Sequence, residues 1–526
     1  MRFLILLTLL SISFPSFLQA EQSKCFKGDC LNGTGQIIYE NQTEYTGPFL
    51  KGKPEGKGIF KYPDGTKYIG GFKQGKFEGE GTYFFQDGSK YIGEFKNNKF
   101  NGQGLKYDQQ GDKIYDGSFK DNQFYGQGSY FFKDGSKYIG QFKDNKFNGQ
   151  GKKYYSNGDL EYEGAFRDNK FHGKGDYFFK NGSKYQGQFL KGKFAGQGIK
   201  YYPDGKIKYK GSFENDKFNG QGVYFFQNGS KYIGNFKNDF FHGQGTRFYP
   251  NGQKKYEGFF KENLFSGRGI YYYKDQSIYS GNFVKGKLNG EGTYYFSNGS
   301  KYIGSFKDNN FEGKGTKYYI DDKIQYQGRF KDNKFNGKGT YYFRDGSKYK
   351  GEFKSGNFEG RGKKYYPNGK LEYQGNFKDN KFNGQGTYYY PNGSKYRGNF
   401  KNNLFSGQGT KYYRNGQKEY VGSFFQDSFS GYGAYYFKNG SYYKGNFKKG
   451  KLEGEGIKYY SKGKVEYKGK FKKNKFSGQG TYYFKDGSKY KGEFIDNRFN
   501  GQGIKYYPNG QKEYAGYFEN DKYIGR

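Results

Sequence analysis

Residues 90–104 read KYIGEFKNNKFNGQG. Tyr91, Gly93 and Phe95 alternate with Ile92, Glu94 and Lys96, a period of two that argues for a strand. A short polar loop and a Gly-x-Gly follow. Residues 137–151, KYIGQFKDNKFNGQG, repeat the frame. Its tyrosine returns at 21 positions from Tyr45 to Tyr514, in steps of 23 or 24 residues. A period of that length marks an array of supersecondary units.

Each unit reads as two short strands. The second, as in GQGTYYF, is rich in Thr, Tyr and Phe, which favour strands, and ends at Asp-Gly or Asn-Gly, a hairpin signal. The shorter steps carry FQDGSKY (85–91) and the longer ones YPDGKIKY (202–209). A two-residue Asp87-Gly88 turn is expected in the first, placing Phe84 opposite Tyr91 and Thr82 opposite Gly93. A three-residue Pro203-Asp204-Gly205 loop is expected in the second, with Ile199 opposite Tyr209 and Tyr201 opposite Ile207. The extra residue is then absorbed by the turn. The second residue after the Gly-x-Gly falls on the face away from Tyr-Gly-Phe. That residue is Tyr in many short units (Tyr83, Tyr130, Tyr177, Tyr224) and basic in the long ones (Lys106, Lys153, Lys200, Arg247, Lys317, Lys364, Lys411, Lys458, Lys505). The expectation is an outward Tyr/Lys ladder with like residues about every 19 Å.

The units YIGEFKNNKFNGQG-type, with Tyr-x-Gly-x-aromatic, a short loop, Gly-x-Gly and a D/N-G turn, resemble MORN repeats from about Tyr45 to Gly525. The Trp usual at the fifth position is Phe here (Phe95, Phe142, Phe236). The resemblance implies an all-β chain: an elongated, twisted, single-layer antiparallel sheet, a meander of tandem hairpins. It also implies scaffold or tether roles, with dimerisation and phospholipid binding among them.

Composition agrees with a thin, aromatic-rich β protein. The 526 residues include 90 Gly, 62 Tyr and 59 Phe, with no Trp. Disordered chains are poor in aromatics. The formal charge of +40, from 90 Lys+Arg against 50 Asp+Glu, attracts polyanions and anionic lipid surfaces. The first twenty residues, MRFLILLTLLSISFPSFLQA, have the layout of a secretory signal peptide, so residues 21–44 form an N-terminal cap and 45–526 the repeats. Cys25 and Cys30, in CFKGDC, suit a small disulfide loop in an exported chain. Export makes nucleic acid a poor partner.

No residue set suggests an enzyme. Gly-x-Gly recurs in every unit beside a strand, without the helix a phosphate loop needs. The KDNKFNG loops carry too few oxygens for calcium. His172 and His242 stand alone, and no metal or cofactor is expected. Asn-x-Ser/Thr triplets at Asn32, Asn41, Asn181, Asn228, Asn298, Asn392 and Asn439 are potential glycan acceptors, and most sit in the repeated turns. The ladder is the candidate binding strip, facing an anionic membrane or envelope polymer, with a protein partner or homodimer possible. A glycan-binding module is the alternative.

Overall fold

The computed structural model describes residues 24–525, and the signal-peptide reading of 1–20 lies outside them. The described residues hold 45 strands and no helix. They fall into two compact units, one ending at Phe265 and the other starting at Ser266. Each is a single-layer, open antiparallel meander in which strands pair with their chain neighbours.

Two kinds of turn alternate. Lys90–Lys96 and Lys99–Tyr107 are joined by Asn97-Asn98, both left-handed (φ 52° and 66°), with Lys96 paired to Lys99. Positive φ at both central residues is the two-residue turn whose twist matches a hairpin. Asn and Asp tolerate it better than other non-glycine residues, hence KNNK and KDNK. Asn98 does a second job. Its Oδ1 accepts from Phe77 N at 2.7 Å, and its own N–H donates to Phe77 O at 3.2 Å. The turn of one unit is thereby pinned to the strand of the unit before.

The other turn corrects the expected register. Phe85 N donates to Ser89 O and Gly88 N to Phe85 O, with Gly88 at φ 84°. The loop is therefore three residues, Gln86-Asp87-Gly88, not two. Asp87 fixes it by accepting from Ser89 N (2.9 Å) and Ser89 Oγ (2.6 Å). Tyr83 consequently lies opposite Tyr91, and Thr82 opposite Ile92. The longer units use the same loop: Tyr202 N donates to Lys206 O and Gly205 N to Tyr202 O. Tyr201 does pair with Ile207, but Lys200, not Ile199, pairs with Tyr209. The extra residue, Lys208, is a β-bulge. It is the bulge, not the turn, that absorbs the twenty-fourth residue.

The core is one face of the sheet. Tyr91 is fully buried and its ring lies over two paired glycines, Gly93 and Gly104. A Cβ on Gly93 would sit 2.5 Å from Tyr91 Oη, and one on Gly104 2.4 Å from Tyr91 Cε2. Tyr91 Oη donates to Glu94 O at 2.9 Å. The ring stacks on Phe100 at 3.9 Å and meets Phe95 and the next unit's Phe119 edge-on. Tyr349 repeats this in the second unit, bonded to Glu352 O and stacked on Phe358 at 4.0 Å. Each buried ring contributes about 1.5–3 kcal/mol, and each ring pair about 0.5–1.5 kcal/mol more. A thin sheet thus obtains a core from rings that interlock along it. Phe fills the fifth position without the indole, and Phe95 is 3% exposed.

At the N-terminal end, Lys24–Gly28 pairs with Thr34–Ile38. Cys25 and Cys30 are joined by a disulfide across the connecting loop, with Cα atoms 6.0 Å apart.

Candidate functional site

The one-residue shift inverts the expected ladder. Tyr83, Tyr130, Tyr177 and Tyr224 each lie opposite the tyrosine of a Tyr-x-Gly-x-Phe frame. So do Lys106, Lys153, Lys200, Arg247, Lys317, Lys364, Lys411, Lys458 and Lys505. The strip therefore runs along the margin of the aromatic face, not on the opposite side. Tyr83 and Tyr177 are core residues, 5% and 4% exposed, and burial pushes the Tyr83 phenol up to about 12. Tyr130 and Tyr224 are half-buried, with rings 4.8 Å from Phe132 and Phe226.

The basic members fall into two chemical groups, divided by the bulge residue beside them. In five long units that residue is Glu, eight positions after the lysine. Lys153 Nζ meets Glu161 at 2.7 Å, Lys364 meets Glu372 at 3.0 Å, and Lys411 meets Glu419 at 3.2 Å. Lys458 meets Glu466 at 2.9 Å and Lys505 meets Glu513 at 3.0 Å. Lys153 and Glu161 are buried together, 7% and 2% exposed, a setting where each charge needs the other. In the other four the bulge residue is Ile114, Lys208, Lys255 or Gln325, beside Lys106, Lys200, Arg247 and Lys317. These four cations lack a bulge glutamate and lie over aromatic rings: Lys106 over Phe85 at 5.4 Å, Lys200 over Phe179 at 5.3 Å, Arg247 over Phe226 at 4.4 Å and Lys317 over Phe296 at 5.4 Å. Lys153, Lys411 and Lys458 of the first group lie over rings as well. Burial lowers the pKa of Lys106, Lys200 and Lys317, and at Lys200 the neighbouring Lys208 lowers it further.

The bulge glutamates belong to this site but are not among the residues that the repeat pattern predicts for it. The signal was present as a Lys and a Glu eight residues apart in KYYPNGKLEY and its relatives. It has meaning only once the bulge sets both on one face. In the second unit this margin opens into an aromatic groove of about 1210 Å³, lined by Phe343, Phe358, Tyr388 and Phe405 with Lys364, Glu372 and Lys411 among them.

Charge also gathers at the edge formed by the two-residue turns. Lys73 faces Lys76, Lys96 faces Lys99, Lys143 faces Lys146, Lys378 faces Lys381 and Lys472 faces Lys475. Some of these also reach the next turn's carboxylate, as Lys99 does Asp121 at 3.1 Å. His172 and His242 are half-buried strand residues. Among the described residues no three His, Cys, Asp or Glu side chains are grouped to hold a metal, and no helix is long and apolar enough to cross a membrane.

Solved structures that match the chain do so at low similarity. The TCP10 domain of Danio rerio CPAP, in complex with a peptide of Danio rerio STIL, is 11% identical over 59% of this chain and 100% of that one, with a TM-score of 0.14. Virginiamycin B lyase from Staphylococcus aureus is 9% identical over 58% and 97%, with a TM-score of 0.11. The computationally designed Ika8 protein is 13% identical over 59% and 90%, with a TM-score of 0.13. At these TM-scores none of them bears on the fold or the site. A search of curated proteins found no match. The family profile described as MORN repeat matches twenty consecutive segments, from 45–67 to 490–512, and with the tyrosine folded over its paired glycines in unit after unit, the chain belongs to the MORN repeat family.

Proposed function

We propose that this protein is a non-enzymatic, exported repeat scaffold that tethers to an anionic membrane or envelope surface, or to a protein partner. The observation that carries this is the row of lysine pairs along the two-residue turns. Like charges directly opposite one another destabilise a hairpin, and this chain sets lysine opposite lysine at several of these turns, spread over both halves of the array. A surface of opposite charge converts that cost into attraction. Each lysine contributes only about 1 kcal/mol at an anionic membrane surface, so a single unit binds weakly and a row of them binds by avidity. The MORN repeat is a scaffold or membrane- and protein-binding unit, which agrees with this role. The ladder becomes a lesser contributor, because five of its nine cations are bonded to glutamates. The test is binding to vesicles of anionic and of neutral lipid across a salt series. Reversal of Lys96, Lys99, Lys143 and Lys146 to Glu should weaken the anionic-vesicle binding, and salt should weaken that of the wild type. Binding that is unchanged by both would refute the tether.

The aromatic groove of the second unit supports a second reading, a glycan-binding module. Its rings and internally paired Lys364–Glu372 suit a neutral polar ligand, whose binding salt should leave unchanged.

A further inference from the structure

The face of the sheet opposite the aromatic core carries a trough over the paired glycines, and its chemistry changes along the chain. In the first unit a stretch of about 740 Å³ has Ile59, Ile69, Thr82 and Ile92 on one side and Lys57, Glu80, Glu94 and Gln103 on the other. In the second unit a stretch of about 720 Å³ runs over Gly362, Gly375 and Gly386 and is lined by Lys350, Arg361, Lys363 and Arg397, with Gln374, Asn376, Gln385 and Thr387 between them. No carboxylate lines it. From this contrast we infer that the second trough is a binding site for a linear phosphate polymer.

Three observations point there. Lys350 and Lys363 are directly opposite on adjacent strands, an arrangement that repels. Where the same row holds acids, Glu163 opposite Asp176, each has its own cation: Lys152 meets Glu163 at 3.0 Å and Lys184 meets Asp176 at 2.7 Å. Lys350, Arg361, Lys363 and Arg397 have no such partner among the described residues. Single lysines without an ion pair recur in this row at Lys210, Lys468 and Lys491, each opposite uncharged residues; at Lys350 and Lys363 two cations stand directly opposite and no carboxylate balances them. The second observation is reach. The row passes from Lys350 through Lys363, Gln374 and Thr387 to Arg397, one step per strand. Four strand spacings cover about 19 Å, and Arg361 lies beside this line, opposite Asn376. Four cations in that length match a ligand with closely spaced charges, and the two arginines offer forks that fit phosphate oxygens.

The third observation selects the class of ligand. The floor is a sheet face, whose N–H and C=O groups are already used in the ladder. A peptide lying there would find no partners for its own amides, whereas a phosphate chain needs only the donors that the side chains supply.

The test uses substitutions that the chain itself makes at these positions. Ile303 opposite Thr316, and Thr293 opposite Ile303, occupy the register of Lys350 opposite Lys363 and of Thr387 opposite Arg397. The triple variant Lys350→Ile, Lys363→Thr, Arg397→Ile should therefore fold. A control of equal charge change, Lys96→Thr, Lys99→Thr, Lys143→Thr, removes edge lysines of the first unit. The full chain is titrated with inorganic polyphosphate, with oligo-glutamate of equal charge and with anionic vesicles, at about 0.15 M salt. The expected result is polyphosphate binding at least tenfold weaker in the trough variant and unchanged in the edge control, with vesicle binding altered only in the edge control. Unchanged polyphosphate binding in the trough variant overturns the inference. So does an equal loss of vesicle binding, which would make the trough part of a membrane surface, or oligo-glutamate binding as tight as polyphosphate. If vesicle binding stays salt-sensitive in the trough variant, the tether reading stands whatever the fate of the trough.

Discussion

Lys208 tests the charge logic of the bulges most directly. It occupies the position that Glu161, Glu372, Glu419, Glu466 and Glu513 fill in other long units. Lys208→Glu should turn the Lys200–Lys208 repulsion into an ion pair of a kind that this backbone already accommodates five times. Two unit charges about 4 Å apart interact by about 4 kcal/mol at an effective dielectric of about 20. Both lysines are half-buried, so water and side-chain freedom reduce this to roughly 1–2 kcal/mol per pair. The change from repulsion to attraction should then slow local amide exchange over residues 193–225 by about tenfold or more, since 1.4 kcal/mol is a factor of ten. Lys208→Gln, which copies Gln325 beside Lys317, should give about half the effect. The mirror change, Glu372→Lys, should speed exchange around Lys364. The pH dependence has a definite sign. Burial and Lys208 lower the Lys200 pKa from 10.5, so the folded chain holds that proton less tightly than the unfolded one. The penalty is complete below the folded value and fades as pH rises through it towards 10.5, so this site's stability should rise with pH there. In Lys208→Glu that rise should disappear. If Lys208→Glu exchanges faster than the wild type, or all three substitutions behave alike, the bulge residue does not set the electrostatics of this face.

Other outcomes follow from the same geometry. Gly93→Ala should destabilise its unit by about 3 kcal/mol or more, as a core clash does, because its Cβ would meet Tyr91 Oη and Gln103 O, each at 2.5 Å; thermal melting of the variant checks this. Asn98→Gly should keep the left-handed turn and lose the bond to Phe77 N, costing about 1 kcal/mol, read as faster exchange confined to residues 76–100. Alkali should unfold the repeats steeply. Burial holds Tyr279, Tyr420 and Tyr490 up at about 12, so their contribution is whole below pH 10 and is lost as pH rises through the folded values. Phenolate absorbance and circular dichroism should therefore change together.

The repeat, its strands and its class were legible in the sequence because Tyr-x-Gly-x-Phe recurs at a fixed step and the period of two is plain in each copy. The faces were not legible. Asp-Gly serves equally as a two-residue turn or as the end of a three-residue one, and what decides is the pairing of Phe85 with Ser89, settled by Asp87 bonding back to Ser89. In the long units the loop was legible, because Pro203 marks it, but the bulge at Lys208 was not. Nothing local distinguishes an extra residue in a strand from an extra residue in a turn. Both errors are shifts of one residue, and in a sheet one residue exchanges inside for outside.

That exchange changes what the alternating unit lengths are for. If the turn had absorbed the extra residue, the long and short units would differ only at their tips. With a bulge instead, every long unit places one additional side chain on the aromatic margin, beside the ladder cation and buried or half-buried. The bulge residue then decides whether that cation is neutralised, as by Glu372, or opposed, as by Lys208, while backbone and core stay the same. The charge of the inner margin is thus set one residue at a time, independently of the outer trough, where Ile69 in one unit and Lys350 in another stand at the same register. A repeat whose core is fixed by tyrosines over glycines can in this way vary both of its faces along its length. The proposed scaffold role draws on that freedom.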